Sequence, residues 1–260
     1  MMKIALLTLS VLFATASTYA AEPISLRVLS YNIHHGEGVD GSLDLPRIAS
    51  VIRSVEPDLV ALQEVDQKVN RSGDVDQPAE LARLTDMHVV FGGNIELQGG
   101  HYGNAILSRF PITKFSNHPL PNVDEGEPRG VMMATISAPK LDSSLRLLAT
   151  HLDHRRSDVA RVQSAKFING LVKSDSSPAV LMGDMNDVIG SATISRFDQV
   201  WKRTNEKPMP TIPVGQPTRQ IDFILFHPAE RWQVVETQVL DEAVASDHRA
   251  IFSVLELRSE

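Results

Sequence analysis

The sequence predicts a mixed α+β fold. Short apolar, β-branched runs recur along the whole chain and read as strands. Helical periodicity separates only some of them, and others follow one another directly, which excludes a regular βαβ alternation. No internal repeat, linker or low-complexity run follows residue 22, so one domain over residues 21–260 is the simplest organisation.

The first strand is the run at 26–32. After it, Leu45, Ile48, Ala49, Ile52 and Val55 share one helical face, with Asp44 as N-cap and Pro46 in the first turn. Residues 59–63 form the next strand. A second helix starts near Pro78 and carries Leu81 and Leu84. The runs at 105–107, 131–136 and 146–150 are strands, with no helical pattern between the first two. A third helix follows Ser157, with Val159, Val162, Ala165, Ile168 and Leu171 at three-residue steps. Strands at 179–182, 221–226 and 250–255 complete the set, and Trp201 and Trp232 read as core or surface anchors rather than base-stacking platforms.

Composition narrows the function. The 260 residues are 42% hydrophobic and 22% charged, ordinary values for a globular chain. A net charge of −7 argues against a strong non-specific grip on nucleic acid. The absence of cysteine excludes disulfide scaffolds, Cys-containing zinc sites, thiol nucleophiles and cysteine-borne lipid anchors. Residues 1–20 follow the plan of a secretory signal peptide: Lys3, an apolar stretch from Ile4 to Ala16, then small residues before a cleavage point at Ala20 or Ala21. That apolar stretch is short of the ~20 residues that span a bilayer, and no later stretch qualifies. The expected product is a periplasmic or secreted monomer, whose charge becomes −8 once Lys3 is removed.

Polar residues stand at the ends of six strands: Asn32, Glu64, His151 with Asp153, Asp184 with Asn186, Asp222, and Asp247 with His248. Any one of them fits a turn, where Asn and Asp are common for backbone reasons. Six strands sharing the habit point to one cleft at one edge of a scaffold. Asn, Glu and Asp are hard oxygen ligands, which favours Mg²⁺ or Mn²⁺, with Ca²⁺ allowed. The sequence has neither a His-Glu-x-x-His helix nor a Gly-x-Ser-x-Gly elbow, so zincin and serine-hydrolase chemistry are excluded. A cation, two histidines and several carboxylates suit displacement at phosphorus.

Tyr31-Asn32-Ile33, Leu62-Gln63-Glu64-Val65, Gly103-Asn104-Ala105-Ile106-Leu107-Ser108, Thr150-His151-Leu152, Gly183-Asp184-Met185-Asn186, Ile221-Asp222-Phe223 and Ser246-Asp247-His248 form an ordered set. The set resembles the endonuclease/exonuclease/phosphatase superfamily, which includes DNase I, abasic-site endonucleases, neutral sphingomyelinases and inositol-polyphosphate phosphatases. The resemblance implies a four-layer sandwich: two mixed, mostly antiparallel β-sheets face to face, with helices outside. It implies metal ligands at Asn32, Glu64 and Asp247, an Asp222–His248 dyad, and Asp184 with Asn186 positioning water and phosphate. His151 matches the DNase and sphingomyelinase branches better than the abasic-site branch. His248 is assigned as base and His151 as acid.

Arg129, His34 and Arg155 are candidates for contact with phosphate or substrate, each with a bland loop or helix-entry reading beside it. His101 and Tyr102 line the cleft or pack a turn. The Pro-rich segment 204–219 is the expected specificity loop. The resulting reading is a divalent-metal-dependent phosphoesterase or phosphodiesterase whose partner is a phosphate-ester substrate. A DNase I-like endonuclease ranks second, weakened by the acidic charge and the 5% aromatic content. A non-catalytic binding protein ranks third, because every chemical position is filled.

Overall fold

A computed structural model describes residues 23–138 and 144–258. The signal-peptide expectation at 1–20 lies outside the described residues. The chain runs β1 (Ile24–Asn32), α1 (Leu45–Ser54), β2 (Leu59–Gln67), α2 (Gln77–Thr85), β3 (His88–Leu97), β4 (Gly100–Ser108), β5 (Ile112–Pro119), β6 (Gly130–Ile136) and β7 (Leu145–His151). It continues through α3 (Val159–Val172), β8 (Ala179–Asp184), α4 (Ala192–Phe197), β9 (Lys202–Arg203), β10 (Asp222–His227), β11 (Trp232–Val239) and β12 (Ile251–Leu257).

The strands form two six-stranded sheets, ordered β11-β12-β1-β2-β4-β3 and β5-β6-β7-β8-β10-β9. Each contains one parallel pair with a helix in its crossover, β1 with β2 around α1 and β7 with β8 around α3; the other pairs are antiparallel. Between the sheets lies a core that includes Leu26, Leu59, Ile106, Leu147, Met182 and Ile224. Ile48 and Ile52 of α1 and Leu81 of α2 cover the outer face of the first sheet. Ala165 and Ile168 of α3 and Phe197 of α4 cover that of the second. Helix, sheet, sheet, helix is the expected four-layer sandwich. No helix among the described residues is long and apolar enough to cross a membrane.

Asp44 caps α1 as expected, its side chain accepting from Arg47 N. The face expected for α3 is corrected. Val159 is exposed, and the buried stripe runs through Arg161, Ser164, Ala165, Ile168, Asn169 and Val172. Three-residue steps rotate around a 3.6-residue helix, so the five residues joined by four such steps cannot stay on one face. The four strands without a sequence signal, β3, β5, β9 and β11, are the four sheet edges. Edge strands carry polar residues, glycine and proline that discourage further pairing, which erases the apolar alternation.

Candidate active site

The two parallel pairs bring their C-terminal ends to one side of the sandwich. Asn32 lies opposite Gln63, His151 opposite Asp184, and Asp222, at the start of β10, opposite Asp184 from the other side. Gly183 permits the close β7–β8 approach: a Cβ there would sit 2.0 Å from the Thr150 carbonyl oxygen. Glu64 is turned out of its strand by a register shift between Leu62 and Val65, and it adopts φ 57°. A bulge of this kind re-aims one side chain while pairing resumes beyond it. Asn186 also has a left-handed backbone, φ 49°, as do His34 and His35. Left-handed non-glycine residues cost energy and tend to gather at functional sites.

A continuous net of side chains crosses from one sheet to the other. Asn32 Nδ2 lies 3.0 Å from Glu64 Oε1 and 3.2 Å from Asp184 Oδ2. Asp184 Oδ2 lies 3.4 Å from His151 Nε2 and 3.8 Å from His248 Nε2. His248 Nδ1 meets Asp222 Oδ2 at 2.9 Å, and Thr211 Oγ1 donates to the same oxygen at 2.5 Å. Asn186 Nδ2 is 3.0 Å from His151 Nε2 and donates to the Leu152 carbonyl. Ser246 Oγ donates to the Asn32 carbonyl at 2.7 Å, fastening the loop that carries His248 to the end of β1.

The two histidines sit in opposite fields. Burial alone would lower the His248 imidazole, but the carboxylates of Asp222, Asp184 and Asp247 outweigh it and push the group up to about 10. Burial, and then the Arg129 charge, hold His151 well below the ordinary imidazole value. Arg129 Nη1 donates to His151 Nδ1 at 2.9 Å, so that nitrogen carries the lone pair. The proton of the neutral ring sits on Nε2 with Asp184 Oδ2, 3.4 Å away, as its acceptor; the Asn186 amide beside it donates to the Leu152 carbonyl. Burial and the neighbouring Asp222 charge push Asp184 up to about 7.

Three expected site residues lie at the margin of this net or outside it. Asp247 is exposed; its backbone neighbours Ser246 and His248 are buried, and it meets the net through Ser246 Oγ, 3.4 Å from its Oδ1, and as a charge that raises His248. Arg155 does not reach the cleft. Its Nε donates to Asp153 at 2.7 Å, Nη2 to the Val123 carbonyl at 2.7 Å and Nη1 to the Asp124 carbonyl at 3.2 Å, so it ties down the 121–128 segment. His34 is joined instead to its neighbours His35 and Glu64: one potential ligand atom from each of the three lies within 4.8 Å of the other two. Asp184, Asp222 and His248 form a second such group, fully buried.

Sequence reasoning missed Thr211, the grip of Arg129 on His151, and His35 as a partner of Glu64. Thr211 lies in the Pro-rich 204–219 segment, but nothing local marks a hydroxyl that serves Asp222, 11 residues later.

Residues 29–248 match the Endonuclease/Exonuclease/phosphatase family. The Escherichia coli K12 protein YbhP is 30% identical over 220 residues, covering 78% of this chain and 85% of its own. An endonuclease/exonuclease/phosphatase from Beutenbergia cavernae superposes with a TM-score of 0.79 at 29% identity, over 90% of this chain and 72% of that one. A mannosyl-6-phosphatase from Bacteroides thetaiotaomicron shares the fold, with a TM-score of 0.73, 19% identity, and coverage of 88% and 99%. So does truncated TDP2 from Caenorhabditis elegans, at 0.69, 21%, and 90% and 98%.

Proposed function

The chain belongs to the endonuclease/exonuclease/phosphatase family, and from that premise we propose that it is a periplasmic or secreted, divalent-metal-dependent phosphoesterase or phosphodiesterase that hydrolyses a P–O bond by in-line attack of water. The observation that carries this reading is the unbroken net from Glu64 through Asn32 and Asp184 to His248 and Asp222. The net joins the Glu64 carboxylate to both imidazoles through Asn32 and Asp184, which supports a cation end and an acid–base end of one site.

The residues fit a cation at the Glu64 end. Glu64 is half-buried, has no ion-pair partner among the described residues, and is aimed by the bulge and by Asn32 Nδ2. A divalent ion there would neutralise the non-bridging phosphate oxygens.

The electrostatics favour a division of labour different from the one the sequence suggested. His248, held as an imidazolium by Asp222, is an electrostatic clamp and proton donor. His151, neutral with its proton on Nε2, is a hydrogen-bond donor to a phosphate oxygen. The base matched to neutral pH is Asp184, whose Oδ1 is anchored by Asn186 N at 2.8 Å and whose Oδ2 faces both imidazoles. Asn186 completes the cradle.

The test is a hydrolysis screen with Mg²⁺, Mn²⁺ or EDTA on bis-p-nitrophenyl phosphate, inositol phosphates, sphingomyelin and plasmid DNA. Metal-dependent turnover of at least one small or lipid-linked ester is expected. Full turnover in EDTA refutes the metal dependence, and plasmid nicking as fast as the best small ester moves the reading to a nuclease.

A further inference from the structure

His34 and His35 occupy a short 3₁₀ turn, His34–Gly36, in which both have a left-handed backbone, φ 46° and φ 44°. Two such residues in succession persist only where their surroundings hold them. Three hydrogen bonds do so here. Asn32 Oδ1 accepts from His34 N at 3.1 Å, Gly36 N donates to the Ile33 carbonyl at 2.8 Å, and Gln77 Nε2 donates to the His35 carbonyl at 2.6 Å. The turn stacks the two rings edge-on, with centroids 4.5 Å apart.

Glu37 occupies one nitrogen of each ring. Its backbone carbonyl can only accept, so His34 Nδ1, 3.1 Å away, carries the proton and Nε2 is left with a lone pair. Its carboxylate lies 3.4 Å from His35 Nε2, which leaves the lone pair on Nδ1. That Nδ1 atom is buried and has no hydrogen-bond partner. A backbone carbonyl or a carboxylate on the far nitrogen is the arrangement by which proteins orient metal-binding imidazoles. The nearby Arg71 guanidinium does not oppose a cation with a free charge, because Asp66 takes it in two bonds of 2.9 Å.

We propose that His34, His35 and Glu64 form one mixed nitrogen–oxygen cation site, and that the chain therefore selects Mn²⁺ or a later first-row ion over Mg²⁺. The inference rests on the reading that a divalent ion sits at the Glu64 end, and adds to it the ligand set and the selectivity. Carboxylate, amide and water ligands serve Mg²⁺ well; imidazole nitrogen raises affinity along the first-row series. One ligand atom from each residue lies within 4.8 Å of the other two, and bonds of ~2.1 Å to a common ion need separations of about 3–3.6 Å, so the three side chains close by at most about 1–2 Å.

The experiment uses the whole EDTA-stripped protein. Electron spin echo envelope modulation of the Mn²⁺-loaded protein reads ¹⁴N coupling directly, and calorimetric titration reads Mn²⁺ and Mg²⁺ affinity without turnover. The variants are His34→Asn and His35→Asn, since asparagine tolerates the left-handed backbone while removing the imidazole. Wild type should show ¹⁴N modulation, and each variant should lose about tenfold or more in Mn²⁺ affinity with less than about threefold change for Mg²⁺. Mn²⁺ bound without ¹⁴N modulation overturns the inference and leaves the Glu64 site standing. Absence of any divalent binding overturns both. The wild-type spectrum decides the matter even if a variant fails to fold.

Discussion

Replacing Asp222 with Asn should remove the His248 imidazolium at neutral pH. Asp222 Oδ2 lies 2.9 Å from His248 Nδ1, and unit charges at that distance attract by about 6 kcal/mol at an effective dielectric of about 20. That attraction is the main reason the buried ring stays protonated. Without it, desolvation is opposed only by Asp184 and Asp247, and the expected outcome is a ring that is neutral at about pH 7. The expected loss in kcat is about 10²–10⁴, the scale of a lost acid–base group. The pH dependence gives the sign. In wild type the imidazolium persists up to about 10, so activity that depends on it holds through neutral pH and falls as pH rises through that value. In the Asn variant the ring is protonated only in acid, and Asp184, relieved of the Asp222 charge that raises it, stays ionised to lower pH. Residual activity should therefore rise on acidification. The assay is kcat against pH on one phosphodiester for wild type, Asp222→Asn, His248→Ala and the double variant, with thermal melts of all four. The double variant should lose far less than the product of the single losses. Strictly multiplicative losses, or losses that follow melting temperature, would refute the dyad.

Arg129→Met should free His151 Nδ1. By ¹⁵N NMR the wild-type ring should be the Nε2–H tautomer and resist protonation below the ordinary 6.5, whereas the variant titrates at higher pH. Because the folded value is depressed, the unfolded chain takes up this proton first and stability falls as pH drops below 6.5; the variant should flatten that loss, and an unchanged profile counts against Arg129 as its cause. Arg155→Ala should speed proteolytic cleavage within 121–128 while kcat changes by less than about threefold, since its guanidinium is spent on Asp153, Val123 and Asp124; a large kcat loss with an intact segment would restore it as a phosphate contact. Mass spectrometry of the exported protein should find Ala21 or Glu22 at the N-terminus, and a mature chain retaining Met1 would refute the signal peptide.

Legibility in the sequence follows burial. The eight strands inside the sheets bury both faces and announce themselves as apolar runs, whereas β3, with Gly92 and Gly93, and the polar β5 and β11 are edges whose sequences resist further pairing. The site divides in the same way. Asn32, Asp184 and Asp222 are legible because a polar residue ending or opening a buried strand breaks a pattern. What each does is not legible, because it depends on partners from other strands. Nothing local separates His151 from His248, yet burial and then Arg129, just before β6, hold one neutral, while Asp222 from β10 makes the other cationic. His34 and His35 read as an ordinary glycine-flanked loop, and only the handedness of the backbone turns their rings toward Glu64. Asn32 joins these halves. Its amide oxygen fixes the histidine turn through His34 N, while its amide nitrogen touches Glu64 at 3.0 Å and Asp184 at 3.2 Å. One buried side chain thus spaces the carboxylate of the first sheet against that of the second. The parallel β1–β2 pair puts it there, so the sheet topology itself sets the distance between the cation end and the acid–base end.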